Sequence, residues 1–307
     1  MGEINVKFNH IKKSAADFLI FFVMAGLCFV IIYPILFMIS CSFRSPADMN
    51  DPTVSWIPRH LTLDVIKKAA EAMDIKSALI NTMSINMVCA VLQTIVCSFT
   101  GYGFARYNFR FKKLMLTILL ITIIVPQQII LISQYSQFRY FRIFGIAELN
   151  LINTPAAMYI PAMMGSGIRS GIMIIVFMLF FRTLPPELED AAEIDGCNAL
   201  MTFLRIIVPN SSVPFAVVFL FSAVFYWNDY YISSAFFNDN RTIALMLGNL
   251  DSWLSYLLFG NASAQQSTRD IIVWLEAGCL ISISPMLILY IILQKYLYRG
   301  IEYAGIQ

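Results

Sequence analysis

The strongest constraint on this chain is a series of long apolar stretches that are nearly free of charged side chains. A helix needs about 20 apolar residues to cross the roughly 30 Å hydrocarbon core of a bilayer. A helix also satisfies its backbone hydrogen bonds internally, as a segment surrounded by lipid must. The sequence therefore predicts an all-α, polytopic membrane protein with six transmembrane helices. They are expected at residues 16–40, 79–105, 114–136, 155–181, 209–235 and 270–295.

The composition agrees with a protein whose main solvent is lipid. Hydrophobic residues make up 59% of the chain and charged residues 13%, whereas soluble domains are about 25% charged. The net charge of +2 and the lack of an extended basic and aromatic tract give no reason to expect nucleic-acid binding. The six cysteines include no C-x-x-C pair, and most lie inside apolar stretches. We expect them to be buried side chains, and we expect no metal site.

The basic residues predict the orientation in the membrane. Three lysines precede the first apolar stretch, which exceeds the roughly 7–15 residues of a signal-peptide core. Residues 106–113 contain four basic residues and no acid, as expected of a short cytoplasmic loop. The inverted orientation stays open, because the longer segments 41–78 and 236–269 also carry basic residues. The expected division is a cytoplasmic N-terminal segment (1–15), a transmembrane domain in the cell membrane (16–295) and a cytoplasmic C-terminal tail (296–307).

The two long external segments are expected to differ from each other. Residues 61–75 group their charges at helical spacing, which predicts a short amphipathic surface helix that lies outside the membrane. Residues 238–240 and 260–268 are rich in Asn, Ser, Gly and Gln, which is typical of solvated loop.

The cytoplasmic segment at 182–208 has an unusual acidic pattern. Pro185 and Pro186 favour the start of a helix, and acidic residues follow them in its first turns, near the positive end of the helix dipole. Gly196 favours the end of that helix. A second helical stretch is expected at 198–208, before Pro209 opens the next span. An acidic surface on the side where basic residues are expected predicts a basic partner.

This segment resembles the EAA loop of binding-protein-dependent ABC importers. The pattern is E-A-A, two residues, D-G, and then a fixed gap to a hydrophobic residue and Pro. Asp190 stands for the leading acid, with Glu189 beside it as a possible substitute, and Cys197 replaces the usual Ala. The resemblance implies that a short set of residues contacts a separate ATPase. These are Glu189, Asp190, Ala191, Ala192, Asp195, Gly196 and Pro209.

The resemblance extends over residues 20–302 and is closest to the smaller, maltose-type permease of carbohydrate importers. It is carried by Tyr33-Pro34, Tyr102–Arg106, Pro126-Gln127, Trp227–Asp229 and Leu293–Gly300. It implies the type I ABC importer permease fold and import of a sugar or oligosaccharide. The implied partners are a second permease subunit, two cytoplasmic ATPase subunits and an extracytoplasmic solute-binding protein. The final residues 304–307 depart from the family's usual ending, which puts a contact of the tail with the ATPase in doubt.

The chain is not expected to be an enzyme. It has no G-x-x-x-x-G-K-[ST] loop to hold nucleotide phosphates. ATP and magnesium are therefore expected on the partner ATPase, with no cofactor on this chain. His10 and His60 lie on opposite sides of the first span and cannot form one site.

Two charged residues are expected deep in the membrane. Arg169 lies about 20 Å from the cytoplasmic boundary, and Glu276 lies about 9 Å from the outer one, at 1.5 Å per helical residue. These depths coincide in a roughly 30 Å core, where an unpaired charge is costly. We therefore predict an Arg169–Glu276 ion pair; the alternative is that each faces a hydrated vestibule.

Polar and aromatic residues within the spans are candidates for a sugar path. The alternative is that they join helices by hydrogen bonds. The candidates are Asn86, Gln93, Gln127, Gln128, Gln134, Tyr135, Trp227, Asn228 and Asp229.

Two other functions remain to be weighed. An ABC permease for a peptide, an amino acid or an inorganic anion would carry the same loop. An ion-coupled secondary transporter would usually have more spans and more intramembrane ionisable groups.

Overall fold

The computed structural model describes residues 2–45, 47–48, 51, 53–54, 56–143, 147–239, 242–259 and 268–304. The chain is predominantly helical. The first helices are α1 (Gly2–Ser42), α2 (Asp64–Ala72), α3 (Ile75–Arg106), α4 (Lys112–Ile124), α5 (Gln127–Arg139), α6 (Ala156–Met163) and α7 (Ser170–Thr183). They are followed by α8 (Glu187–Ile194), α9 (Ala199–Thr202), a π-helical turn (Phe203–Ile207), a 3-10 turn (Pro209–Ser211), α10 (Ser212–Trp227), α11 (Tyr231–Phe236), α12 (Ile243–Gly248), α13 (Leu250–Phe259) and α14 (Thr268–Ala304). Two short strands, β1 (Phe141–Ile143) and β2 (Ala147–Leu149), pair antiparallel with Phe141 opposite Leu149.

Within the described residues, four helices are long and apolar enough to cross a membrane. They are Ala16–Ser42, Ile75–Arg106, Pro209–Trp227 and Ile271–Lys295. Two bent helix pairs also qualify by composition, α4 with α5 at an angle of 100° and α7 with α8 at 77°. The number of spans is therefore four, or up to six if each bent pair is one span.

The third expected span is interrupted at Pro126-Gln127, and the fourth and fifth are not continuous helices either, which corrects the predicted bounds of those two spans. The third is broken before Pro126, which disfavours helical backbone in the preceding residue, and Val125 is extended (φ −69°, ψ 121°). The fourth is interrupted between α6 and α7, where Gly165 and Arg169 have φ of +68° and +54°. The fifth ends at Trp227 rather than 235, because Asp229 accepts hydrogen bonds from backbone amides that open α11.

The last helix extends beyond the last expected span. The expected tail at 296–307 continues α14 as helix through Ala304, and residues 305–307 lie outside the described residues. The expected amphipathic helix at 61–75 is confirmed as α2. The second external segment contains α12 and α13, and its expected loop at 260–268 lies almost wholly outside the described residues.

The helices form two compact units. The first comprises residues 1–72 and 250–281. In it, α2 packs against α13, and the ammonium of Lys68 lies 5.9 Å from the ring centre of Trp274. Trp56 meets Tyr33 of α1 edge to face at 4.7 Å, and its carbonyl accepts a hydrogen bond from Ser40. These contacts attach the segment after α1 to that helix.

A buried carboxylate organises the same segment of the first unit. Asp48 is 3% exposed and accepts a hydrogen bond from the His60 backbone amide at 2.8 Å. The Nδ1 atom of His60 lies 3.1 Å from the other carboxylate oxygen. The backbone hydrogen bond from His60 is the main reason that the pKa of Asp48 is lowered from its ordinary value.

This geometry predicts acid sensitivity outside the membrane. A lowered pKa in the folded state stabilises the fold above the ordinary pKa and ceases to do so as pH falls through the folded value. We expect the protection of the His60 amide against hydrogen exchange to fall below about pH 4. Asp48→Asn should remove this pH dependence, and equal pH dependence in both proteins would contradict the prediction.

The second unit comprises residues 73–249 and 282–307 and is organised around α3. This helix packs against α6, α7, α10 and α12. Gly101 permits the closest approach, because a Cβ there would lie 2.6 Å from Phe177 Cβ and 3.0 Å from the Ile174 carbonyl oxygen. The result is a close contact between the last turns of α3 and the middle of α7.

Candidate coupling surface and transport path

The acidic helix α8 has a strongly defined beginning and end. Pro186 precedes it with φ −63°, and three acidic residues occupy its first turn. At its other end the Gly196 amide donates to the Glu193 carbonyl at 3.0 Å, and the Cys197 amide donates to the Ala192 carbonyl at 2.9 Å. With Gly196 at φ +79°, this is a Schellman cap. The expected helix and glycine stop are confirmed.

The second helical stretch is also present, with one unexpected feature. The Asn198 side chain accepts from the Met201 amide at 2.9 Å and caps α9. The helix then widens into the π-helical turn, in which the Val208 amide donates to the Phe203 carbonyl at 2.9 Å. Pro209 follows in the 3-10 turn. A proline has no N–H to offer the carbonyl four residues back, which favours a local change in the hydrogen-bond pattern.

Most predicted coupling residues are exposed on α8 or immediately after it. Asp190, Ala191, Asp195 and Gly196 are exposed, whereas Ala192 is buried. The side chain of Ile194, the last residue of this helix, is 87% exposed, which is unusual for a large apolar side chain. The helix thus presents carboxylates around an apolar tip, a surface suited to a partner with basic residues around an apolar recess.

Glu189 has a different environment from Asp190. Its Oε1 atom lies 2.7 Å from Nε of Arg106, and the two side chains are 24% and 14% exposed. This is a close ionic contact rather than a well-aligned hydrogen bond. Glu189 is therefore engaged within the chain, and Asp190 is the acid of the pair that is free to face a partner.

Gln93 lies at the centre of a buried polar cluster. Its Nε2 donates to the Ile168 carbonyl at 3.0 Å and to Ser222 Oγ at 3.1 Å. Its Oε1 accepts from Ser170 Oγ at 3.2 Å and from the Tyr226 hydroxyl at 2.9 Å. With four hydrogen bonds and no exposed surface, Gln93 is placed to join helices, and its predicted role in a sugar path remains untested.

The predicted path residues after α10 also have local structural contacts. The buried Trp227 donates from Nε1 to the Ser282 carbonyl at 3.0 Å. The exposed Asn228 donates to the Val224 carbonyl of its own helix at 3.0 Å. Asp229 accepts from the Ser233 amide at 2.8 Å and from its hydroxyl at 3.0 Å. These contacts place the three residues at a helix junction.

Gln127 and Gln134 are brought together on one face of α5. They line the same pocket as Tyr226 and Phe236, whereas Gln128 is exposed and the half-buried Tyr135 belongs to the neighbouring apolar packing. The bend at Pro126 directs α5 toward this pocket. Asn86 is buried elsewhere on α3, and its Nδ2 has no hydrogen-bond partner among the described residues.

Arg169 and Glu276 belong to different units, so their predicted ion pair stays a prediction. Arg169 is exposed at the start of α7. Its guanidinium carbon lies 5.6 Å from the ring centre of Phe225. Glu276 is half-buried on α14.

With this geometry established, comparison with known proteins identifies the family. The model of the binding-protein-dependent transport system inner membrane component matches residues 93–303, which include α5, the whole acidic loop and Gln93. The chain belongs to this family. It is thus a multi-pass component of a transport system, and the match indicates no enzymatic activity.

Individual relatives span nearly the whole chain. The arabinooligosaccharides transport system permease protein AraQ of Halalkalibacterium halodurans is 28% identical, covering 92% of this chain and 94% of its own length. The melibiose/raffinose/stachyose import permease protein MelC of Bacillus subtilis is 24% identical, covering 89% and 91%. A chain from the crystal structure of a bacterial ABC transporter involved in import of the acidic polysaccharide alginate superposes with a TM-score of 0.70. The two chains are 19% identical, and the match covers 91% of this chain and 95% of the other. This chain therefore shares the fold of that transporter chain.

Some features of this inner membrane component were missed by sequence reasoning. Arg106 was interpreted as a marker of orientation and as part of the family resemblance, and its contact with the acidic helix was not predicted. Tyr226, Ser170 and Ser222 were not singled out, although they surround Gln93. A polar glutamine in a predicted span was the available signal, because a buried amide requires partners.

Proposed function

We propose that the chain is the membrane-spanning permease subunit of an ABC importer for a sugar or oligosaccharide. In this proposal it crosses the membrane six times, with the bent pair α4 and α5 counted as one span, with α7 as the end of another that leads into the cytoplasmic helix α8, and with both termini in the cytoplasm. It works with a second permease subunit, two ATPase subunits that hold ATP and magnesium, and an extracytoplasmic binding protein. Membrane lipid covers its outer apolar surface.

The observation that carries the coupling role is the exposed acidic helix α8. Asp190 and Asp195 are exposed next to the apolar tip at Ile194, and the Schellman cap at Gly196 holds the sharp exit of the chain. A helix whose beginning and end are both held by local backbone conformation moves as a rigid unit. It can therefore transmit the closure of an ATPase to the spans attached to it. The short, basic loop at residues 106–113 supports a cytoplasmic location for this surface.

The sugar class is supported by the names of the relatives, which refer to arabino-oligosaccharides and to melibiose, raffinose and stachyose. The half-buried amides of Gln127 and Gln134 provide hydrogen-bonding groups around one small pocket, beside the buried Tyr226 and Phe236. Saccharide hydroxyls need such partners, so this pocket is the section of the proposed path that we assign first.

Substrate class is tested with the complete transporter in proteoliposomes. The chain is assembled with the second permease, ATPase and binding protein that co-purify with it, and uptake is measured for oligosaccharides, an amino acid and a short peptide. ATP-dependent uptake of a saccharide alone supports the proposal. Uptake of the amino acid or peptide instead would establish the non-sugar alternative, and uptake driven by an ion gradient without ATP would establish a secondary transporter.

Substitutions in α8 are expected to uncouple transport from ATP hydrolysis. Asp190→Lys places a cation against a basic partner, and we expect uptake to fall at least tenfold, for a cost of about 2–5 kcal/mol at a charged contact. Gly196→Val forces a β-branched residue to a φ of +79°, which costs about 1–3 kcal/mol. Uptake and ATP hydrolysis are measured together in proteoliposomes.

Matched controls separate coupling from folding. Gly196→Asn should retain most uptake, because asparagine tolerates left-handed backbone and no atom lies within 4 Å of the added Cβ. Asp64→Lys makes the same charge change on the exposed start of α2 and should leave uptake unchanged. Full uptake by Asp190→Lys protein inserted in normal amounts would contradict the coupling role.

A further inference from the structure

Arg106 connects three elements at one end of the second unit. It is the last residue of α3. Its Nε atom lies 2.7 Å from Oε1 of Glu189 on α8. Its Nη2 atom donates to the Leu184 carbonyl, between α7 and α8, at 2.7 Å. One guanidinium therefore contacts both the acidic helix and the bend that leads into it.

The surroundings of Arg106 are tightly packed. Gly101 brings α3 against the backbone of α7. One turn before Arg106, the ring of Tyr102 lies 5.8 Å from Phe181 of α7 and 5.0 Å from Phe203 of the π-helical turn. The end of α3 is thus held to elements on both sides of α8. Among the described ion pairs, Arg106–Glu189 is the one that joins α3 to the acidic helix itself, and the Tyr102 side chain also lies within hydrogen-bonding reach of Glu189.

We propose that Arg106 is a positioning residue that latches α8 to α3 and so makes α3 the span that receives motion from the ATPase. This inference rests on the proposed function of α8. Glu189 is the internal half of the latch, which leaves Asp190 for the partner. The two adjacent acids thereby have separate roles.

The chemistry of the latch requires an arginine. A guanidinium presents donors in a rigid planar fork and can contact a carboxylate and a carbonyl at once, whereas an ammonium is a single point charge. The partial burial of Arg106 and Glu189 protects their attraction from solvent screening. Arg106→Lys should therefore retain the ion pair and lose the Leu184 contact.

The latch is tested first on the purified full chain without any ATPase. Hydrogen exchange of the α8 backbone amides is measured for Arg106→Glu, Glu189→Arg and the double swap. Either single reversal should speed exchange about tenfold, because a broken charged contact favours local opening. The double swap should return exchange to within about threefold of the original, and Arg106→Lys should fall between. Arg110→Glu, a charge reversal at a neighbouring exposed arginine, serves as the matched control and should exchange normally.

Native exchange in both single variants, or a double swap no better protected than the single variants, would overturn the latch.

A second measurement uses the assembled transporter. Single reversals should keep ATPase binding while uptake per ATP hydrolysed falls about tenfold, within the usual range of coupling energies, and the double swap should recover it in part. Undiminished uptake per ATP in both single variants would also overturn the proposal. If the unaltered chain neither binds an ATPase nor imports, the proposed function fails, while the exchange result still decides whether the latch exists.

Discussion

A Gln93→Leu variant is expected to be less stable by about 2–4 kcal/mol, because leucine would leave buried hydrogen-bonding groups without a partner. Two hydroxyls, of Ser170 and Tyr226, would lose their common acceptor. The Ile168 carbonyl would lose its donor at the break between α6 and α7. The free energy of unfolding in bicelles measures the change.

The control for this variant is the same substitution at an exposed glutamine. Gln128→Leu on α5 should change stability by less than about 0.5 kcal/mol. Tyr226→Phe removes one of the four hydrogen bonds and should have an intermediate effect. Equal stability of the Gln93 and Gln128 variants would show that the buried cluster does not hold the helices together.

The second large effect is expected from a single methyl group at Gly101. In Gly101→Ala the new Cβ would meet Phe177 Cβ at 2.6 Å and backbone atoms of Ile174 and Met178 at 3.0 Å. The backbone of α7 cannot move without disturbing its own hydrogen bonds, so α3 and α7 must separate. We expect a loss of about 1–3 kcal/mol, as for other overpacked cores.

Gly103 offers a control two residues along the same helix. Nothing lies within 4 Å of a Cβ at that position. Gly103→Ala should therefore stabilise the protein by about 0.5–1 kcal/mol through helix propensity alone. Opposite signs for the two alanine variants, measured by the same unfolding experiment, would confirm that the α3–α7 contact depends on the absence of a side chain. Equal effects would contradict it.

The acidic loop was predictable because its structure depends on local chemistry. Proline at the start of a helix, acid in its first turn and glycine at its end each act within a few residues. The π-helical turn before Pro209 escaped prediction, since proline indicates a change in hydrogen bonding without showing which pattern results. The exposure of Ile194 was not predictable in this way, because it depends on which surfaces the rest of the fold leaves uncovered.

The break in the fourth expected span has a local signal that the span prediction did not use. Residues 165–171 contain three glycines, two serines and an arginine within an otherwise apolar stretch, a pattern typical of a turn. The non-helical backbone at 164–169 is tolerated because an amide from a different helix, Gln93, satisfies the Ile168 carbonyl. Likewise, the role of Arg106 depends on Glu189, which only the folded chain brings near. Long-range contacts of this kind leave no mark on local sequence patterns.

The length of α3 has a mechanical consequence. Its 32 residues form a rod of about 48 Å at 1.5 Å per residue, half again as long as the hydrocarbon core is thick. A pivot near one end would turn a tilt of about 10° into a displacement of about 8 Å at the other, from the same helical rise. The short acidic helix could then move by only a small angle and still shift residues on the far side of the bilayer by more than the width of a water molecule.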